Sequence, residues 1–224
     1  THRALAGRVR LAAQQARRPL AILADLCGPK MRVGTFLEGS VELIEGEPFI
    51  LTAEEVEGSA QRVSVTYKSL ADDVGVGNVV LLDDGLLRLR VERVQGTDVH
   101  CLVEVGGTLS NRKGLNLPGA NLSVPALTEK DRRDLAFAVD ELKVDYLALS
   151  FVRKPSDIEE AKAIAKGTPI IAKLEKPEAI ENLEDIIAVS DGVMVARGDL
   201  GVEMGSEKVP LIQKRIIRQG NLRG

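Results

Sequence analysis

The stretch VDYLALSFVRKPSDIEEAKAIAKGTPIIAKLEKPEAIENLEDIIAVSDGVMVARGDLGVE, residues 144–203, decides the fold. Three short apolar runs, at 144–151, 170–174 and 192–196, alternate with longer segments of helical pattern. Pro155 and Ser156, with Glu159, read as a helix start, and Gly167 as its stop. Residues 178–189 form the next helical segment and 208–219 another. Strands recurring about every 20 to 25 residues with one helix between each pair make right-handed βαβ units and a parallel sheet.

Working outward, Thr128 and Asp131 make a capping box that opens a helix through about Leu142. Residues 20–26 (LAILADL) are nearly continuous in apolar character, as expected of a strand buried on both faces, and Gly28-Pro29 ends it. Upstream, Leu5, Val9, Ala12, Ala13 and Ala16 recur at helical spacing until Pro19. The first 24 residues carry arginines and no acid, as transit peptides do, but Ser is absent and the segment leads straight into an apolar strand. Helix is the better reading.

Between residues 35 and 118 the style changes to short alternating strands such as 41–44, 62–67 and 86–94. The last is followed by Gln95-Gly96-Thr97 and a further strand at 99–103, a hairpin signal. Strands with no helix between them predict a small antiparallel barrel or sandwich. The chain is therefore read as an α/β layer of about four core parallel strands interrupted by an inserted all-β domain, with segments 1–34, 35–118 and 119–224. Four strands are half of what a closed (β/α)₈ barrel needs.

Bulk properties exclude several classes. The net charge is −3 and no basic patch is interleaved with aromatics, so nucleic acid is not expected as a partner. Only Cys27 and Cys101 are present, too few for a disulfide framework. No apolar run approaches the roughly 18 residues of a membrane span. A cytoplasmic protein is expected.

Each core strand ends in charged or polar residues, where the chemistry of parallel α/β barrels gathers. These are Asp25, then Ser150-Phe151-Val152-Arg153-Lys154, then Lys173-Leu174-Glu175-Lys176, then Arg197-Gly198-Asp199 with Glu203 beyond. Alternation along a strand turns Lys173 and Glu175 to one face. A Lys-x-Glu pair is commonly no more than a solvated ion pair. Glu175 and Asp199 on neighbouring strands nonetheless suit a hard divalent cation, Mg²⁺ or Mn²⁺. Gly198 and Gly201 around Asp199 allow close backbone approach and leave amides free for an anion, the bland alternative being a tight βα turn with an Asp cap.

These residues resemble the pyruvate kinase family. IIAKLEK (170–176) followed by Glu178-Ala179-Ile180 is similar to its active-site signature, and DGVMVARGDLGVE (191–203) to its metal-site motif. Further similarities are Leu23-Ala24-Asp25 with Gly28-Pro29-Lys30-Met31-Arg32, Leu82-Asp83-Asp84-Gly85, RKGLNLPG (112–119) and LTEKD (127–131).

The resemblance implies a (β/α)₈ barrel whose third strand is followed by a mobile β-barrel lid. This chain would begin in the helix before that strand and stop after the helix following the sixth, so a cut from a longer protein, inactive by itself, is expected. The implied reaction moves the phosphoryl group of phosphoenolpyruvate to ADP, giving pyruvate and ATP. Lys173 and Arg32 would be catalytic, Glu175 and Asp199 the Mg²⁺ ligands, and Gly198, Asp199, Ser150 and Phe151 the substrate-binding residues. Arg32 and Lys113 would engage nucleotide phosphates, and the full-length protein would be a homotetramer.

Two departures stand out. Asp25 would belong to a K⁺ site, but Leu26 replaces the family's hydroxyl ligand and Lys30 stands where a Glu is usual, so Lys30 is expected to supply the charge and K⁺ not to be required. Met204-Gly205 replaces a proline-containing continuation. A lyase or aldolase of the related phosphoenolpyruvate barrels is the alternative enzyme, which the β insertion and Lys173 disfavour. A non-catalytic metabolite-binding relative is the alternative of another class, which the presence of Lys173, Glu175 and Asp199 disfavours.

Overall fold

A computed structural model of the chain describes residues 1–223. In chain order the elements are α1 (His2–Ala16), β1 (Leu23–Leu26), β2 (Ser40–Leu43), β3 (Pro48–Thr52), β4 (Arg62–Ser64), α2 (Leu70–Asp73), β5 (Val79–Leu82) and β6 (Leu87–Gln95). Then come β7 (Asp98–Val105), β8 (Gly107–Ser110), β9 (Leu115–Asn116), α3 (Glu129–Phe137), β10 (Tyr146–Leu149) and α4 (Pro155–Ala165). The rest are β11 (Ile170–Leu174), α5 (Pro177–Glu181), α6 (Leu183–Val189), β12 (Gly192–Val195), α7 (Arg197–Met204) and α8 (Val209–Arg223). No helix among the described residues is long and apolar enough to cross a membrane.

The chain divides into two compact units. The first holds residues 1–29, 125–200 and 208–223, and the second 30–124 with 201–207. The junctions thus fall at Pro29 rather than residue 34 and at Val124 rather than residue 118. Backbone bonding explains the first: the Leu115 amide donates to the Met31 carbonyl, and the Val33 amide to the Lys113 carbonyl. The second follows from Ser123, whose amide donates to Asp73 at 2.7 Å.

In the first unit, β1, β10, β11 and β12 lie side by side in that order, all parallel. Helices α4 and α5–α6 make the crossovers between consecutive strands, which is what the spacing of the apolar runs predicts. Leu147, Ala148, Leu149, Ile170, Ala172 and Leu174 are buried, and Ile158, Ala161, Leu183, Ile186 and Ile216 bring the helices onto them. Two aspartates pin the strand starts. Asp145, just before β10, accepts the Ile22 amide beside β1 at 2.7 Å. Asp191, just before β12, accepts the Ile170 amide of β11 at 2.8 Å. Thr128 and Asp131 form the expected capping box of α3, which runs into a π-helical turn at Ala138–Leu142.

Several expectations need correction. Residues 20–26 do not make a strand buried on both faces: β1 is an edge strand, and Leu20 and Leu23 are exposed. Apolar composition reports what a strand can bury, not which neighbours it has. The cap of α4 is Asp157, which accepts the Arg153 and Lys154 amides at 2.8 and 3.1 Å, rather than Ser156 with Glu159. Segment 178–189 breaks at Asn182 into two helices. Residues 197–204 are a helix, not a tight turn, and Gly205, at φ 93°, stands just past its end where a left-handed residue terminates a helix.

The second unit contains a six-stranded sheet, β4-β3-β7-β6-β5-β9, and the pair β2-β8. β4 lies parallel to β3, an exception to the expected all-antiparallel pairing. The β6–β7 hairpin turns at Gly96, whose φ of 58° suits glycine, and two bulges interrupt its ladder. Phe49, Leu51, Val63, Leu82, Leu89, Val99, Leu109 and Leu117 fill its interior.

Candidate active site

Strand β11 and the residue just past it present the central pair. The Lys173 side chain is 11% exposed and that of Glu175 6%, with 3.7 Å between ammonium and carboxylate. Lys173 Nζ donates to the Ser150 hydroxyl at 2.7 Å, just past β10, and to both Asp25 oxygens at 3.2 Å, on β1. Three adjacent parallel strands therefore deliver their C-terminal polar residues to one ammonium. Burial pulls the Lys173 pKa down, but Glu175, Asp25 and Asp199 outweigh it and hold the group above its ordinary value. Lys173 is a firm cation at neutral pH.

Glu175 has the opposite problem. Burial pushes its pKa up, against Lys173 and the Phe151 amide, which pull it down, while Asp199 adds to the rise. The Phe151 amide donates to Oε1 at 2.8 Å, and Oε2 is buried with no hydrogen-bond partner. The Lys173 ammonium, 3.7 Å from Oε2, offsets its charge without donating a hydrogen bond, and a buried carboxylate oxygen left so is costly unless a further positive group meets it.

Asp199 lies exposed in the first turn of α7. The first helical bond there runs from the Leu200 amide to the Ala196 carbonyl, so the preceding amides, Gly198 and Asp199 included, have no partner within the helix. No neighbouring atom lies within 4 Å of where a Gly198 Cβ would stand. These amides stand at a helix start, a geometry able to receive an anion.

No group of three or more His, Cys, Asp or Glu side chains able to hold a metal occurs among the described residues. Glu175 with its spare oxygen, and Asp199 close enough to raise the Glu175 pKa, nevertheless fit Mg²⁺ or Mn²⁺. These ions commonly take one or two protein carboxylates and complete their shell with water and substrate oxygens.

The remaining expected residues fall differently. Ser150 and Phe151 are buried beside Lys173 and Glu175, touching both through the bonds above. Arg32 and Lys113 lie in the second unit on neighbouring segments: Arg32 bridges Gly114, and its guanidinium donates to the Arg112 carbonyl at 2.8 Å. Lys113 pairs with Asp83 at 2.8 Å. Lys30 is exposed at the start of the same unit, and Leu26 is buried, offering no side-chain oxygen.

Two contacts escaped the sequence reading. Asp131, beyond capping α3, accepts the Gly28 amide at 3.1 Å and so ties down the chain leaving β1. The Lys176 ammonium sits 4.2 Å from the centre of the Phe151 ring. Neither contact has a local signal, because each joins residues more than twenty positions apart.

Comparison with known proteins points to one family. The family model described as "Pyruvate kinase, barrel domain" matches residues 1–224. The pyruvate kinase of Mycobacterium intracellulare is 52% identical over 221 residues, covering 97% of this chain and 47% of its own. Pyruvate kinase 2 of Synechocystis is 50% identical, covering 96% and 38%. The pyruvate kinase of Staphylococcus aureus is 43% identical, covering 100% and 39%. The chain thus spans about half the length of its curated relatives, or less. With a lysine and two carboxylates at adjacent strand ends and a match along its whole length, the chain belongs to the pyruvate kinase family.

Proposed function

We propose that the protein carrying this chain transfers the phosphoryl group of phosphoenolpyruvate to ADP, yielding pyruvate and ATP. The observation that carries the reading is the Lys173–Glu175 pair, one a buried cation and the other a buried carboxylate whose Oε2 accepts no hydrogen bond. Lys173 would lie against the phosphoryl group in transfer and offset its charge in a loose transition state. Its contacts with Ser150 and Asp25 hold the ammonium in place before substrate arrives, so little reorganisation remains. The Gly198 and Asp199 amides would receive the substrate carboxylate, with Ser150 and Phe151 beside it. Glu175 and Asp199 would hold Mg²⁺ or Mn²⁺, which when bound supplies positive charge to substrate oxygens. Arg32, as a catalytic group, and Lys113 would engage the nucleotide phosphates from the second unit, which would act as a lid that excludes water.

The same reading makes the intact protein a cytoplasmic homotetramer that does not require K⁺. Supporting the last point, Leu26 brings no oxygen and the Asp25 carboxylate already faces Lys173. Turnover at constant ionic strength should be indifferent to KCl, and strong activation would refute that part.

The test of the main proposal is pyruvate formation from phosphoenolpyruvate and ADP by the intact protein and by Lys173→Met. The variant should lose turnover by at least about a thousandfold, the scale of removing a transition-state charge partner, while still binding Mn²⁺. Unchanged turnover would remove Lys173 from the mechanism.

A further inference from the structure

Phe151 adopts φ 65°, a conformation that side-chain-bearing residues rarely take. The other non-glycine residues with positive φ in the first unit, Arg17, Lys143 and Lys166, each follow a helix and serve as its left-handed cap. Phe151 caps no helix. Its conformation aims its amide at Glu175 Oε1, 2.8 Å away, and its ring lies 4.2 Å from the Lys176 ammonium. Phe151 is 8% exposed and Lys176 3%, so a full charge is buried against an aromatic face. Gly28 makes room, since a Cβ there would come within 3.3 Å of Phe151 Cβ. Adjacent residues of extended chain project to opposite sides. One short segment thereby sends a carboxylate to the amide of Phe151 and an ammonium to its ring.

We propose that Lys176 is a positioning residue for the cation site: it clamps the Phe151 ring, which holds the left-handed backbone whose amide fixes Glu175 Oε1 and leaves Oε2 for the ion. The inference rests on Glu175 being a cation ligand. The charge of Lys176 acts in two opposed ways, repelling a bound cation and favouring ionised Glu175, so Lys176→Met mixes charge with packing. Phe151→Leu changes no charge and tests the clamp by itself.

The experiment is Mn²⁺ titration of the metal-free intact protein, followed by electron paramagnetic resonance, with thermal melts on the same samples. Lys176→Met and Phe151→Leu should each weaken Mn²⁺ binding about tenfold, the scale of a desolvated cation–π contact. The double variant should be no weaker than either single one, because both remove the same clamp. Lys176→Arg, which keeps a cation over the ring, should bind within about twofold of wild type. Wild-type affinity or tighter in Phe151→Leu overturns the clamp, as do fully additive losses, and the first criterion stands should Lys176→Met not fold. Glu175→Gln distinguishes the underlying reading: if it binds Mn²⁺ like wild type, the ligand assignment fails and the clamp with it.

Discussion

The Lys173 ammonium and the Ser150 hydroxyl, from neighbouring strands, lie 2.7 Å apart, closer than Lys173 comes to any of its carboxylate partners. A neutral oxygen is the nearest anchor of the central cation, which orients the ammonium without cancelling its charge. Ser150→Ala should therefore lower kcat/KM for phosphoenolpyruvate by about 10- to 100-fold, the equivalent of one hydrogen bond to a charged group. Thermal stability should fall little, because Asp25 and Glu175 still satisfy the ammonium. Steady-state kinetics and a melt on the same preparation check both.

Glu175→Gln should stabilise the metal-free protein at neutral pH. Burial raises the Glu175 pKa, so the folded state holds its proton more tightly than the unfolded state does. Below the unfolded value both states are protonated and nothing is lost. As pH rises past that value and through the raised folded one, ionisation costs stability. The variant escapes that cost, while Lys173 keeps Ser150 and Asp25. The variant should melt higher than wild type at pH 7, by a margin that shrinks as the pH is lowered toward the ordinary carboxylate range. Melts of both proteins across pH measure it, and a gain that grows on acidification would contradict the assignment.

Asp131→Ala should be among the more damaging single substitutions in the first unit. The residue is 1% exposed and accepts the Gly28 amide through Oδ1 and the Thr128 amide through Oδ2. Its loss removes the α3 cap and strands a part-buried amide, together about 2–4 kcal/mol. Urea unfolding of the variant should show a lowered midpoint with an unchanged slope.

Much of this was legible beforehand, and the exceptions have physical causes. Strand β11 was readable because its apolar alternation lies between Gly167 and Pro177, and alternation alone turns Lys173 and Glu175 to one side. The capping box at Thr128 was readable because it is local. The exposure of Leu23 was not, since being at a sheet edge depends on chain far away in sequence. Gly198 and Gly201 suggested a turn, yet α7 tolerates both, propensity being a weak prior against tertiary context. The left-handed Phe151 had no marker at all, because a bulky aromatic is the last residue from which positive φ is inferred.

The aspartates that hold the first amides of neighbouring strands lie at the end of the sheet opposite the chemistry. A one-residue slip of β11 would send Lys173 and Glu175 to the wrong side while orphaning Asp191 and the Ile170 amide. Asp145 and Asp191 therefore act as alignment pegs: the register that brings Lys173 and Glu175 to one side is held from the far end of the sheet.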